Sequence, residues 1–388
     1  MTKHLLTCNA GSNSLKCALY EAATQALVYR FEVDRIHDQT TLTIKNKRGE
    51  TIETHQSIDS GYKAALLAIL NWCDDEASLD LIAAGHRIVH GGVEFDNAVE
   101  INQDIKQTLT ALIPLAPLHQ PHNLKLFEIL ADKYPHLKQV ACFDTAFHRT
   151  QPWLAQQFAL PRELVHGQHI LRYGFHGLSY EYISGILPQY VDSFEHKRII
   201  IAHLGSGASM CALKHGNSVA TTMGFTALEG LMMAKRCGRL DPGVVLYLQQ
   251  EKKWSPKEIE TLLYERSGLL GVSGLSGDMR DLENSDEPEA KEAIDLFCYI
   301  AAKELGGLMM ALNGIDAFVF TGAMGCNDVL VRSHICDYLS WLGVHIDDAA
   351  NETHSTVIST SASRIPVFVL PTDEEQIIAK HTANVLGL

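Results

Sequence analysis

The feature that most restricts what this chain can fold into is an internal repeat. Leu5 to Tyr20 reads LLTCNAGSNSLKCALY, and Ile200 to Lys214 reads IIAHLGSGASMCALK. With Gly11 set on Gly205, Ser12 falls on Ser206, Cys17 on Cys211, Ala18 on Ala212 and Leu19 on Leu213, all at one offset (205 − 11 = 194), half of the 388-residue chain. Each copy is an apolar run, a short Gly/Ser turn and a second apolar run, the pattern of a β-hairpin with a glycine-containing loop. Such a loop can turn backbone N–H groups and hydroxyls toward an anion, because glycine allows close approach and positive φ. Two such loops, one from each half of a duplicated chain, would suit the two sides of a nucleotide's phosphate tail.

The length is comfortable for two domains of roughly 150–200 residues each. Hydrophobic residues make up 46% and charged residues 20%, as in a folded soluble protein. The net charge of −14 argues against nucleic-acid binding over a broad basic face, but it allows a small anionic substrate held by a few local cations. No apolar stretch of about 18 residues could span a bilayer, and the start MTKHLLTC lacks a signal-peptide core; a cytoplasmic protein with no membrane partner is expected. The nine cysteines are scattered with no CxxC pair, so neither a disulfide framework nor a zinc site is indicated.

In chain order, alternation from Leu27 to Ile58 suggests further antiparallel strands, and Gly61 to Asp74 reads as a helix with Tyr62, Ala65, Leu66, Ile69 and Leu70 on one face. Leu79 to Ala84 is a short strand running into Gly85-His86-Arg87, which puts Arg87 at the strand's mouth. There it can bind an anion bidentately or pair with a nearby carboxylate. The proline-spaced loop Pro114 to Pro121 should hold His119 before a helix at Asn123 to Lys133. Strand Lys138 to Phe143 ends at Asp144, a metal-linked or water-linked carboxylate or else the cap of the next turn. His176 stands in Tyr173-Gly174-Phe175-His176-Gly177, ahead of a helix at Ser179 to Leu187. Thr221 to Gly243 is too irregular for a simple helix, and its functional weight falls on Arg236.

Helices are expected at Pro242 to Gln250 and Pro256 to Arg266, followed by a glycine-punctuated loop from Ser267 to Gly274. The acidic stretch Asp281 to Glu289 reads as a solvated linker and Glu292 to Leu312 as a long helix. Strand Ala317 to Phe320 feeds the turn Thr321-Gly322-Ala323-Met324-Gly325, a plausible nucleotide contact. Strand Arg364 to Leu370 and a helix at Glu375 to Leu386 close the chain. Strand ends that deliver glycines, arginines and acids to loops describe a duplicated α/β protein with ligands at those ends.

At this point the motifs resemble those of the acetate kinase family, which includes propionate kinases, over nearly the whole chain. Asn9 to Lys16 is similar to the family's N-x-G-S-S-S-x-K, and HRIVHGG, LAPLHQP, FDTAFH, YGFHG, HLGSGAS, GFTALEGLMM, RCG, SGLLGVSG and TDEE match further blocks in order. The resemblance implies the duplicated α/β fold shared with actin, hexokinase and Hsp70, of ribonuclease H-like type, with an interdomain cleft. Its domains would be 1–148 with the C-terminal helix 375–388, and 149–374. It implies reversible transfer of the ATP γ-phosphoryl to acetate or another short-chain carboxylate, giving an acyl phosphate and ADP, with Mg²⁺ required and Mn²⁺ able to substitute. Family members are commonly homodimers.

Carried over by motif, the resemblance implies that Arg87 and Arg236 hold the carboxylate and the transferring phosphoryl, while His176 donates to it in the transition state. Asp144, Glu374 and Asn9 would serve the metal, and His119 and His203 the phosphoryl site. Val89, Leu118 and Phe175, with Ala227 beside them, would line the pocket for the substrate's alkyl end, where one methylene counts for only about 1–3 kcal/mol. Acetate and propionate should therefore overlap. The nucleotide and its phosphates would fall to Ser12, Ser14, Lys16, His203, Leu204, Gly205, Ser206, Gly207, Asp278, Met279, Arg280, Gly322, Ala323, Met324, Gly325 and Asn327. Departures from the family pattern are Asn13 and Ser206 in the two loops, Ala227 for Pro, Ala234-Lys235 for Gly-Thr, Gly277 for Ser, and TGAMGCN for TGGIGEN, which puts Cys326 where Glu is usual. These bear on the phosphoryl donor more than on the acceptor, and leave pyrophosphate as an alternative donor and a non-catalytic nucleotide-binding protein as an alternative class.

Overall fold

The first Gly/Ser turn is the tip of a hairpin. Strand β1 (Thr2–Ala10) pairs antiparallel with β2 (Ser14–Glu21), Cys8 opposite Cys17, and the Gly11 N–H donates to the Ser14 carbonyl at 2.9 Å. The structure, a computed structural model, describes residues 2–11, 13–36, 40–56, 58–76, 79–117 and 119–388; Ser12 and Leu118 lie outside them. The chain divides into one unit of Met1–Phe147 with Asp373–Leu388 and another of His148–Thr372.

In the first unit the meander continues through β3 (Leu27–Asp34), β4 (Thr41–Asn46) and β5 (Thr51–Gln56). Alternation does what period-2 geometry requires, since Phe31, Val33, Leu42 and Ile44 are buried on one face. The helix Tyr62–Asp75 lays the expected face on that core, with Cys73 added. Strand β6 (Leu79–Ile88) is longer than its apolar run suggested. The ladder to the parallel strand β8 (Lys138–Phe143) continues through Gly85, His86 and Arg87, so Arg87 sits within the strand rather than past it. With the two-residue β7 (Val99–Glu100), the sheet order is β5-β4-β3-β2-β1-β6-β8-β7. Strands β1, β6 and β8 are mutually parallel, so their carboxyl ends share one edge.

The second unit is built on β9 (Arg198–Leu204), β10 (Ala208–Lys214), β11 (Asn217–Thr221), β12 (Ala317–Thr321) and β13 (Val367–Val369), in the order β11-β10-β9-β12-β13. That is the order β3-β2-β1-β6-β8 over again, three antiparallel strands and two parallel ones, so the sequence repeat is a repeat of topology. The 25-residue helix Pro288–Leu312 covers this sheet, burying Ala290, Ala293, Ile294, Phe297, Ala301 and Leu305 at three- and four-residue spacing.

Several expectations need correction here. Ser267 to Gly274 is not a loop: Gly268–Ser273 is a short helix, held because Leu269 is fully buried and the helix packs on Pro288–Leu312. The acidic stretch is not simply a linker, since Met279–Glu283 is a helix capped by Asp278, and Pro288 already opens the long one. The turn after β12 winds at once into a helix, Gly322–Asn327, and the last strand is only Val367–Val369. Among the described residues no helix is long and apolar enough to cross a membrane, and no disulfide joins the nine cysteines.

Candidate functional site

In the first unit, three neighbouring strand ends bring together three of the expected residues. Asn9 comes from the end of β1, Arg87 from β6 and Asp144 from just past β8, where its N–H donates to the Ile88 carbonyl at 3.0 Å. Arg87 donates from Nε to both Asp144 oxygens at 3.0 and 3.1 Å and from Nη2 to Oδ2 at 2.6 Å, while Nη1 donates to Asn9 Oδ1 at 3.0 Å. The Asn9 amide then donates to Glu374 Oε2 at 2.9 Å and Glu375 Oε1 at 2.8 Å. Its orientation follows, because only the oxygen can accept from a guanidinium and only the nitrogen can donate to carboxylates. Asp144 is 1% exposed.

The electrostatics of this cluster are uneven. Burial opposes the Arg87 charge, but Asp144, Glu374 and Glu375 outweigh it and drive the guanidinium's pKa above its ordinary value. Burial and the neighbouring Glu374 push the Glu375 carboxyl up, against Lys16 and the Asn9 hydrogen bond. One guanidinium thus faces three carboxylates, an excess of hard oxygen donors. Just beyond Arg87, the backbone is clamped by buried amides. Val89 N–H donates to Asn123 Oδ1 and His90 N–H to Gln120 Oε1, while Gln120 Nε2 donates to the His90 carbonyl. Half-buried His119 precedes that helix, Gln120–Lys133, as its N-cap residue.

In the second unit, His176 stands in left-handed backbone at φ 57 ahead of the helix Gly177–Ile186. Phe175 is held from behind: His148 Nε2 donates to its carbonyl at 2.9 Å, and His148 Nδ1 accepts from Ser218 Oγ at 2.8 Å. Burial pushes His148 down to about 4, so at neutral pH it is the uncharged imidazole this pattern needs. The His176 and His203 rings stack at 4.3 Å with 15° between planes, each Nδ1 bonded to a serine, Ser209 and Ser179 respectively, at 2.8 Å. Arg236 comes from the irregular 221–243 segment, with Nη1 on the Ala227 carbonyl at 2.6 Å. A Cβ on Gly207 would stand 2.8 Å from Arg236 Nη2 and 3.4 Å from His176 Nε2, so both side-chain tips converge on the Gly205–Gly207 loop, and a side chain there would have to displace the guanidinium.

The sequence as a whole matches the model of the acetokinase family over residues 4–380. The chain belongs to the acetokinase family. It is 48% identical to an acetate kinase of Rhodopseudomonas palustris over 390 residues, covering 98% of each chain. It is 46% identical to one of Methylocella silvestris over 399 residues, covering 100% of this chain and 98% of that one. Among solved structures it resembles a propionate kinase from Francisella tularensis (TM-score 0.90, 34% identity, 99% and 100% covered) and the Porphyromonas gingivalis acetate kinase (TM-score 0.86, 34% identity, 99% and 100% covered). With these neighbours, the duplicated actin- and hexokinase-like α/β fold read from the sequence is the fold observed.

The remaining family positions are placed less uniformly. Ser14 is half-buried at the start of β2, Lys16 exposed further along it, and Ser206 exposed at the second loop's tip. Leu204 and Met279 have side chains in the interior, so what they offer a nucleotide is their backbone. Asp278 and Arg280 pair with each other, Nη2 to Oδ2 at 2.6 Å. Gly322 and Gly325 are buried against the end of β9, Ala323 is exposed, Met324 half-buried, and Asn327 Nδ2 turns back to the Ala323 carbonyl. Burial raises the half-buried Cys326 thiol's pKa.

Sequence reading missed Glu375, Ser179, Ser209, Tyr180 and the fully buried Arg332, whose guanidinium braces the Gly325 carbonyl at 3.1 Å and Asn351 Oδ1 at 2.6 Å. Glu375 could have been found as the second glutamate of TDEE. The others act through partners remote in sequence. Among the described residues no group of three or more His, Cys, Asp or Glu is set to hold a metal by itself. Mg²⁺ is commonly held by one or two carboxylates with phosphate and water completing the shell, and the surplus carboxylates at Arg87 fit that mode.

Proposed function

We propose that this member of the family is an acetate kinase that moves the γ-phosphoryl of ATP to acetate, and also to propionate, by direct in-line transfer to give acyl phosphate and ADP. Arg87 carries the reading. Asp144 fixes the guanidinium through Nε and Nη2, and Asn9 and Glu374 meet it at Nη1, at 3.0 and 4.0 Å. A guanidinium preset in this way can draw a carboxylate toward a triphosphate that repels it.

Val89 and Phe175 contact the alkyl end, and Ala227 leaves room for propionate. His176 and Arg236 donate to the phosphoryl oxygens as charge spreads over them, with His203 and His119 in support. The loops at Gly11 and Gly205 take the phosphate tail. Glu374, Asp144 and Asn9 would hold Mg²⁺, or Mn²⁺ in its place, which when bound would supply neutralisation of phosphate charge. A homodimer belongs to the same reading, supported by the helix Pro242–Gln250, which buries none of its residues and leaves Leu246 and Tyr247 52% and 51% exposed. Cysteines not joined by disulfides among the described residues suit the cytoplasm.

The test is acyl phosphate formation, trapped as the hydroxamate, with acetate, propionate and butyrate each offered against ATP and pyrophosphate in Mg²⁺. Product with ATP, acetate first and propionate close behind, is expected. Product with pyrophosphate alone would transfer the reading to another donor, and no product from folded, nucleotide-binding protein would overturn it.

A further inference from the structure

Tyr180, in the helix Gly177–Ile186, and Ser209, on β10, are both completely buried. The phenol oxygen lies 2.5 Å from Ser209 Oγ, which lies 2.8 Å from His176 Nδ1. Proton bookkeeping fixes the direction of this chain. The Tyr180 oxygen meets Ser209 Oγ and the His203 backbone, whose effect of favouring the phenolate is that of an N–H donating to it, so the phenol's own hydrogen goes to Ser209. The serine hydrogen then goes to its other neighbour, Nδ1 of His176. A neutral imidazole that accepts at Nδ1 carries its proton on Nε2. Nε2 is the nitrogen turned toward Gly207, beside Arg236.

We propose that Tyr180 and Ser209 are positioning residues for phosphoryl transfer, forming a buried phenol-to-hydroxyl-to-imidazole relay that holds His176 as a neutral donor with its Nε2–H aimed at the Gly205–Gly207 loop. The inference rests on the reading of His176 as a donor to the transferring phosphoryl. The stacked partner repeats the device. Buried Ser179 bonds His203 Nδ1 at 2.8 Å, and donation from its hydroxyl places the His203 proton on Nε2 as well. Two imidazolium rings stacked at 4.3 Å would repel one another, whereas two neutral rings of this tautomer present two donors at no such cost. Ser209 and His203 are direct partners across the β9–β10 ladder, so the hairpin that forms the loop also sets the orientation of both rings.

The tautomer is read directly from ring ¹⁵N shifts of labelled protein, with the His176 signals assigned by their loss in His176→Asn. Wild type should show an unprotonated Nδ1 and a protonated Nε2. Tyr180→Phe removes only the phenol oxygen and lets the serine hydroxyl turn either way, which should shift the tautomer ratio by about two- to tenfold, one hydrogen bond's worth. Its kcat should fall by no more than that factor, with KM for acetate within about twofold. Ser209→Ala should change both readouts further, and serves if Tyr180→Phe fails to fold. A wild-type proton on Nδ1, or an unmoved ratio in both variants, overturns the relay. If the ratio moves but wild type forms no acyl phosphate, the relay stands as geometry and the kinase reading is what falls.

Discussion

His148 offers a quantitative test of how the second unit holds its site. Its imidazole sits behind the Phe175 carbonyl, fully enclosed, with a folded-state pKa of about 4 against an ordinary value near 6.5. The folded protein therefore refuses a proton that the unfolded chain takes up. The associated stability is present above pH 6.5 and is lost as pH falls toward 4. Between pH 7.5 and pH 5 the loss from this one residue integrates to about 2 kcal/mol. His148→Gln keeps a donor for Phe175 and an acceptor for Ser218 but cannot titrate. Urea unfolding of the two proteins at both pH values should show wild type losing about 2 kcal/mol more than the variant. Equal losses would mean that His148 is protonated in the fold or accessible to water, and the account of the Phe175–His176 segment would fail with it.

Other outcomes follow from the same geometry. Arg87→Ala and Arg236→Ala should each lower turnover at least about a hundredfold, as loss of an oxyanion-type contact does; near-normal hydroxamate formation in either would remove its assigned role. Adding Asp144→Asn to Arg87→Ala should recover stability, because a buried carboxylate then no longer lacks its guanidinium, yet leave activity low. Glu375→Gln should stabilise the protein, and more so as pH rises. The wild-type carboxyl has a folded pKa above its unfolded one, so stability drains away as it ionises; a variant less stable at pH 8 would contradict this. Gly174→Ala should cost about 2 kcal/mol and most of the activity, since φ is +77 and a Cβ would lie 2.7 Å from the His148 ring and Thr221; thermal unfolding unchanged from wild type would rule out that crowding.

The sequence alone carried the duplication, because a repeated pairing of apolar runs around a glycine turn can satisfy its backbone hydrogen bonds in few ways. It also carried the helix face of Tyr62, Ala65, Leu66 and Ile69, whose periodicity is a property of consecutive residues, and it singled out Arg87, Asp144, His176 and Arg236 as candidates, because they stand in ordered motifs. It could not carry the helix at Gly268–Ser273, where tertiary burial of Leu269 overrides local glycine content, or the extension of β6 through Arg87, which depends on a ladder to residues more than fifty positions away. Nor could it say what each site residue touches. That Asn9 joins Arg87 to Glu374 and Glu375, nearly the whole chain apart, or that Tyr180 reaches His176 through Ser209, is decided only when separate strands and helices are brought within hydrogen-bond range. Spacing along the chain records local periodicity, whereas charge pairing and proton direction depend on distance in space, and only the tertiary structure sets that distance.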